Sequence, residues 1–336
     1  MMIHLLLFSN CFPVKGFRRS LICDVTRSRY DFIPNTLYEL LIRFNGSPLD
    51  VIRAAVGEDH RDIFDKYLEF LLDKEYVFLT DHPELFPPVE LSWESPAVIT
   101  NAIVDIDADS THDLRKIVAQ LDGLGCQALE IRTFDALDAR AVALAIDAVR
   151  DSGLRSVQLL LKYHPDYSKE LFRNLLAQNQ RIMSITVHST DDELLTGQAQ
   201  NEINVFFIKN LILSEEHCGA ISKFNFASNI LLFMESHFHN SCLNRKIAVD
   251  KKGFIRNCPS ATNHYGLFGQ RTLKEAIAEP LFRQAWNIKK DDIAICRDCE
   301  FRHICTDCRV YTADRGDIYS KPAKCSYDPY TASWRD

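Results

Sequence analysis

Residues 97–134 read AVITNAIVDIDADSTHDLRKIVAQLDGLGCQALEIRTF, and this stretch decides the fold class. "AVITNAIVDID" is an apolar, β-branched run of strand length. "STHDLRKIVAQLDGLG" then repeats apolar residues at helical spacing, with Ser110 or Thr111 as its cap and glycines at its end. "QALEIRTF" is a second apolar strand. Strand, helix and buried strand in succession predict a parallel α/β sheet or barrel.

The alternation continues downstream. "DARAVALAIDAVRDSG" is a helix, "SVQLLLKY" a strand, "PDYSKELFRNLLAQN" a helix and "RIMSITVHS" a strand. "DDELLTGQAQ" is a short helix or loop, and "NVFFIKNLIL" and "ISKFNFASNILLF" add strands. About six strand units fit, too few for the eight of a complete barrel. The expectation is an α/β fold with a partial barrel over residues 91–235.

Upstream, residues 1–90 read as strands followed by helices. "HLLLFSN" is a strand, and "RRSLICDVTRSRYDFIP" is two strands around a "TRSR" turn. "NTLYELLIRFNG" is a helix ending at Gly46. "SPLDVIRAAVG" has Ser47 as cap, Pro48 at the first helical position and Gly57 past the end. "HRDIFDKYLEFLLDKEY" places Ile63, Phe64, Tyr67, Leu68, Leu71 and Leu72 on one helical face, and "YVFLTD" closes the module as a strand. The proline-rich "HPELFPPVELSWESP" is a linker.

The 336 residues carry 46% apolar and 25% charged side chains, enough to build cores without staples. A net charge of −7 argues against a general nucleic-acid binder. "MMIHLLLFSNCFPVKG" lacks a preceding cation and a small-residue cleavage site, so a strand is expected there rather than a signal peptide. No run reaches membrane-span length. The expected location is cytoplasmic, where thiols stay reduced, so metal explains eleven cysteines better than disulfides do.

Seven of those cysteines fall in residues 236–336, which marks a third domain. "CRDCEFRHICTDC" holds Cys296, Cys299, Cys305 and Cys308 as two CxxC pairs. "CLNRKIAVDKKGFIRNCP" sets Cys242 and Cys258 at the ends of a hairpin turning at Gly253, and Cys325 follows "DIYSKPAK". Thiolates select zinc or iron–sulfur clusters, and seven nearly fill two four-coordinate sites.

The order C-x10-G-x4-C, gap, C-x2-C-x5-C-x2-C, gap, C resembles a SPASM domain. That domain ends many radical SAM peptide-modifying enzymes and usually carries auxiliary [4Fe–4S] clusters. The family usually has three residues before the sixth cysteine, and this chain has two. The resemblance implies that Cys296, Cys299, Cys305 and Cys325 hold one cluster, and that Cys242, Cys258 and Cys308 hold another. The second set lacks a ligand. Where fuller family members have a further cysteine, "ESHFHNSC" offers His239 or His237. Two [4Fe–4S] clusters are implied, with zinc as the alternative, since thiolate and imidazole suit both.

Radical SAM enzymes bind their defining cluster through a CxxxCxxC loop after the first barrel strand. Here that loop reads "ADSTHDLRK", without a cysteine, so no binding or reductive cleavage of S-adenosylmethionine is expected. His217 and Cys218 are adjacent in "SEEHCGA", but a catalytic dyad requires adjacency in space.

Strands, helices and a closing strand also fit the plan of a winged helix. Residues 1–90 hold more carboxylates than Lys plus Arg, which disfavours DNA. The pattern is similar to the PqqD-like recognition element of peptide-modifying systems, which adds a leader peptide as an edge strand. The resemblance implies contacts near Tyr30 to Ile33 on the edge strand and at Tyr67 or Leu71 on the third helix.

The whole chain thus resembles the SPASM-domain peptide maturase of grasp-with-spasm systems. The resemblance implies an accessory protein that binds a ribosomal precursor peptide and works beside an ATP-grasp ligase, with no nucleic-acid or membrane partner. Two alternatives compete: an iron–sulfur enzyme modifying peptides without S-adenosylmethionine, and a metal-responsive winged-helix regulator.

Overall fold

The computed structural model of the protein describes residues 2–177, 179–191, 194–196 and 204–335. The chain forms two compact units. One comprises Met1–Trp93, Ala220–Ser241 and Asn287–Asp336; the other comprises Glu94–Gly219 and Cys242–Trp286. Residues 236–336, expected as one C-terminal domain, are therefore shared between the two.

In the first unit, the N-terminal residues form β1 (His4–Leu7), β2 (Cys11–Val14), β3 (Ser20–Asp24) and β4 (Arg29–Ile33). Helices α1 (Asn35–Phe44), α2 (Leu49–Val56) and α3 (Arg61–Asp73) and strand β5 (Val77–Thr80) come next. β1 pairs antiparallel with β5, and β2, β3 and β4 form an antiparallel sheet in that order. The "TRSR" turn is held by Asp24, whose carboxylate accepts from the Thr26 and Arg27 amides at 3.2 and 3.0 Å.

All five residues of β3 are buried, because this sheet is covered on both faces. Ile22 joins Leu37, Leu41, Phe64 and Leu71 from the helices. Leu21 and Cys23, pointing the other way, join Ile221, Phe233, Phe301, Ile304 and Tyr327. The backbone of the β2–β3 hairpin comes very near the cysteine-rich segment. A Cβ on Gly16 would sit 2.4 Å from the Arg19 carbonyl oxygen and 2.9 Å from the Glu300 amide nitrogen, so only glycine fits.

The second unit holds the sheet read from residues 97–134. β6 (Asn101–Ile106), β7 (Ala128–Thr133), β8 (Ser156–Lys162) and β9 (Ile182–His188) alternate with α4 (Leu114–Gly123), α5 (Ala139–Ala148) and α6 (Lys169–Ala177). Short strands β10 (Leu194–Thr196) and β11 (Asn204–Phe207) come after them. Of "DDELLTGQAQ", predicted as a helix or loop, Leu194–Thr196 instead form strand β10, and residues 192–193 and 197–200 lie outside the described residues. Asp113, not Ser110 or Thr111, caps α4 by accepting from the Lys116 amide.

α7 (Ile230–Ser236), in the first unit, falls where "ISKFNFASNILLF" predicted a strand. A short apolar run is ambiguous by periodicity. Asn229 decides it, its side chain accepting from the Leu232 amide as an N-cap.

β12 (Lys246–Val249) and β13 (Ile255–Arg256) form the expected hairpin, with Gly253 at φ 84° in its turn. β12 pairs parallel with β6, which is why this segment belongs to the sheet unit. The sheet order is β10-β11-β9-β8-β7-β6-β12-β13, with β11 to β12 mutually parallel. α8 (Leu273–Ile277) packs into its core through Leu273, Ala276 and Ile277. The first unit ends in β14 (Tyr327–Asp328) and β15 (Ser333–Trp334), with little other regular structure after residue 287. Among the described residues no helix is long and apolar enough to cross a membrane.

Candidate metal centre

Cys296 opens a single 3-10 turn, Cys296–Asp298, and Cys299 caps its end. Cys305 comes after the loop that buries Phe301 and Ile304, and Cys325 is bridged to Ile221 by a backbone pairing. These four cysteines line one cavity, with Ile221, Phe226, Phe301, Tyr327 and Trp334 supplying its apolar wall. All eleven cysteines are unbridged. No group of three or more His, Cys, Asp or Glu side chains among the described residues is drawn together tightly enough for a single metal ion.

The charges around this cavity were not legible in the sequence. Lys290 is only 4% exposed, and its Nζ lies 3.6 Å from the Cys305 Sγ and 3.5 Å from Asp307. Asp307 is also bound by Arg309 at 2.7 Å. Burial acts against the Lys290 charge, but Asp307 and the neighbouring thiols raise its pKa, so the ammonium stays charged. Burial pushes the Cys305 thiol up to about 12 and raises Cys296 and Cys299. Metal binding to such thiols would release their protons. The donor chemistry and the shared cavity fit a thiolate-bound inorganic centre.

Glu300, between these cysteines, is fully buried and accepts from Arg19 at 2.8 Å and from the Tyr327 hydroxyl at 2.5 Å. Arg302 bonds the Lys15 carbonyl and pairs with Asp291 at 2.9 Å. The N-terminal module and this cysteine segment are thus fastened together within one unit.

The second predicted set is divided. Cys242 and Cys258 belong to the sheet unit, at either end of the β12–β13 hairpin, whereas Cys308, His237 and His239 belong to the other. Lys246 Nζ is 3.5 Å from the Cys242 Sγ. Burial, then the Cys242 charge, pushes Cys258 up to about 12. Cys308 is buried and accepts from the Tyr311 amide at 3.4 Å. His237 donates through Nδ1 to the Phe233 carbonyl at 2.7 Å and stacks on His303 at 3.7 Å. His239 meets Asn287 at 3.2 Å through Nδ1.

The candidate peptide contacts separate by burial. Ile33 and Leu71, 2% and 1% exposed, are core residues, so their side chains are out of reach of a peptide. The reason is that both point into the α1–α3 core that β4 and α3 exist to cover. Tyr30 is half-buried against Phe301, ring centroids 6.0 Å apart. Tyr67 is half-buried with its hydroxyl 3.2 Å from Thr36 Oγ1. β4 is an edge strand, and among the described residues no further strand borders the backbone of Tyr30 to Ile33 on its outer side.

No protein-family model matches the chain, and no curated protein matches it. Among solved structures, SuiB of Streptococcus suis is similar at 10% identity and a TM-score of 0.38, covering 94% of this chain and 98% of its own. SuiB bound to S-adenosylmethionine gives 11% and 0.37 with the same coverage. SuiB bound to the precursor peptide SuiA gives 10% and 0.33, covering 95% and 98%. At TM-scores this low the likeness decides neither fold nor function.

Proposed function

We propose that this protein is an accessory factor of peptide maturation that binds a ribosomal precursor peptide and holds thiolate-bound inorganic centres. The observation that carries the reading is the single cavity lined by Cys296, Cys299, Cys305 and Cys325. Its support from sequence is the SPASM-like spacing of all seven C-terminal cysteines. Bound there, a [4Fe–4S] cluster or zinc would supply folding energy and, for the cluster, a redox centre. Lys290 would donate to the Cys305 sulfur and offset the charge of the thiolates. Cys242 and Cys258, at the ends of the β12–β13 hairpin, would supply thiolates to the second centre.

The peptide would add to the outer edge of β4, with Tyr67 beside it on α3 and the Ile33 contribution confined to its backbone. The bond-forming step is assigned to a partner ATP-grasp ligase, because no phosphate-binding glycine loop stands in the sequence. Two experiments test this. Replacing Cys299 by Ser is expected to remove one centre's complement of metal and leave the other. Retention of the full complement contradicts the first set. Precursor peptide incubated with this protein alone is expected to bind without changing mass. A mass change instead identifies an enzyme, and absent binding removes the peptide role.

A further inference from the structure

The carboxyl ends of the parallel strands, where α/β sheets bind ligands, carry a cluster that neither cysteine set uses. Asp105, near the end of β6, accepts from Arg132, near the end of β7, through Nε at 2.7 Å and Nη2 at 2.8 Å. Both are almost wholly buried, Arg132 at 0% and Asp105 at 1% exposure. The remaining terminal nitrogen, Nη1, donates to the Cys218 Sγ at 2.9 Å. A neutral thiol is a weak acceptor, so a buried guanidinium at this distance favours the thiolate.

His217 completes the arrangement. Its Nδ1 lies 2.8 Å from the Ser214 carbonyl, which can only accept, so that nitrogen carries a proton. Nε2 then faces the Cys218 Sγ at 3.7 Å and is placed to take the thiol proton. His217 is exposed and Cys218 is partly exposed.

Among the described residues, further charges act on the pair. Glu130 on β7 opposes the thiolate, and Glu215 acts on Asp105. His188, at the end of β9, is held by the Thr133 carbonyl and Ser189, and His217 and Lys162 both disfavour its charging. Cys258 feels the charge of Cys218. Burial raises the Cys218 thiol, but the His217 bond and the Arg132 charge bring it below its ordinary value. His217 is raised by its bond to Cys218 against burial. In the same unit Cys126, without such partners, is pushed up to about 12 by burial.

We propose that Cys218 is a nucleophilic thiolate, positioned by Arg132 and His217, and that disulfides are its substrate class. The Sγ thiolate attacks one sulfur of the disulfide. That S–S bond breaks as a new one forms to Cys218, and the departing thiolate takes the proton from the His217 imidazolium. The disulfide is the oxidant, and no other co-reactant is needed. Exchange at sulfur passes through no oxyanion. Each of the three Arg132 nitrogens already donates, Nε and Nη2 to Asp105 and Nη1 to Sγ.

The test uses the full chain under anaerobic conditions with glutathione disulfide as probe, over about pH 5 to 9, a range spanning the ordinary cysteine pKa near 8.5. Peptide mapping by mass spectrometry tracks the mixed disulfide at each cysteine. Cys218 is expected to react first, with its half-maximal rate below the ordinary thiol pKa, and Cys126 to remain unmodified. His217→Gln is expected to move that midpoint upward and to keep the rate at high pH, while slowing the reaction about tenfold at low pH. A midpoint at the ordinary thiol value, or one that His217→Gln leaves in place, overturns the proposal. So does faster acylation of Cys218 by p-nitrophenyl acetate than exchange with the disulfide, since that reassigns the substrate class. The pH profile of the unaltered protein decides the matter even if a variant folds poorly.

Discussion

The parallel sheet and the cysteine-rich end are held together by different means. In the sheet, six parallel strands and their helices bury one continuous apolar core, from Ile99 to Trp286. Each strand gains its ladder of backbone bonds and each helix its own. After residue 287 the chain has only short turns and two-residue strands. Its order comes from side chains: Arg309 and Lys290 on Asp307, Arg302 on Asp291, and Arg19 with Tyr327 on Glu300. On the proposed reading, a segment with so few ladder bonds would depend on the centre that its thiols hold. A core-built sheet does not.

Metal removal gives the largest effect by which that contrast can be broken. Treatment with a strong chelator is expected to abolish amide-exchange protection across residues 296–325 while β6 to β9 stay protected. Equal loss in both regions contradicts the contrast.

Next in size is the buried ion pair of the sheet unit. Asp105→Asn leaves Arg132 charged and half-partnered, and should cost about 3–5 kcal/mol, as breaking one member of a buried pair does. Urea unfolding monitored by fluorescence measures it. A cost within error of zero means the pair is not sealed from water.

A smaller effect is expected at the seam of the first unit. Gly16→Ala drives a methyl against backbone atoms of Arg19 and Glu300. Overpacking of this kind costs about 1–3 kcal/mol. Thermal unfolding should register it in the cysteine-rich unit and not in the sheet.

The smallest effect is one of pH. His188 is fully buried and its pKa is lowered, burial outweighing its bond to the Thr133 carbonyl. The unfolded chain therefore binds the proton more readily, so stability is complete above the ordinary histidine value and falls as pH drops below it. Protection factors of the β9 amides, corrected for the intrinsic slowing of exchange with falling pH, should drop between about pH 7 and pH 5, either side of the ordinary value near 6.5. His188→Asn should flatten the change.

The sheet was legible because β6 to β9 and α4 to α6 are written in local apolar periods. β2 was missed because "CFPV" is short and carries Pro13. α7 was misread because its apolar run fits a strand, and only the Asn229 cap decides otherwise. The spacing of the cysteines announced a donor set but not how the fold would apportion it. β12, between Cys242 and Cys258, is claimed by pairing with β6, a contact between residues far apart in sequence. Networks such as Asp105–Arg132–Cys218 and Lys290–Asp307–Arg309 left no local signal, since each joins residues that no spacing rule connects. Burial of Ile33 and Leu71 likewise came from the helices packed over them, not from their own identity.

Elemental analysis of protein purified without oxygen tests the central claim most directly. Stoichiometric iron with acid-labile sulfide is the predicted result, with zinc bound by the same thiolates as the alternative occupant. Protein that is folded and full-length yet holds neither iron nor zinc would contradict it.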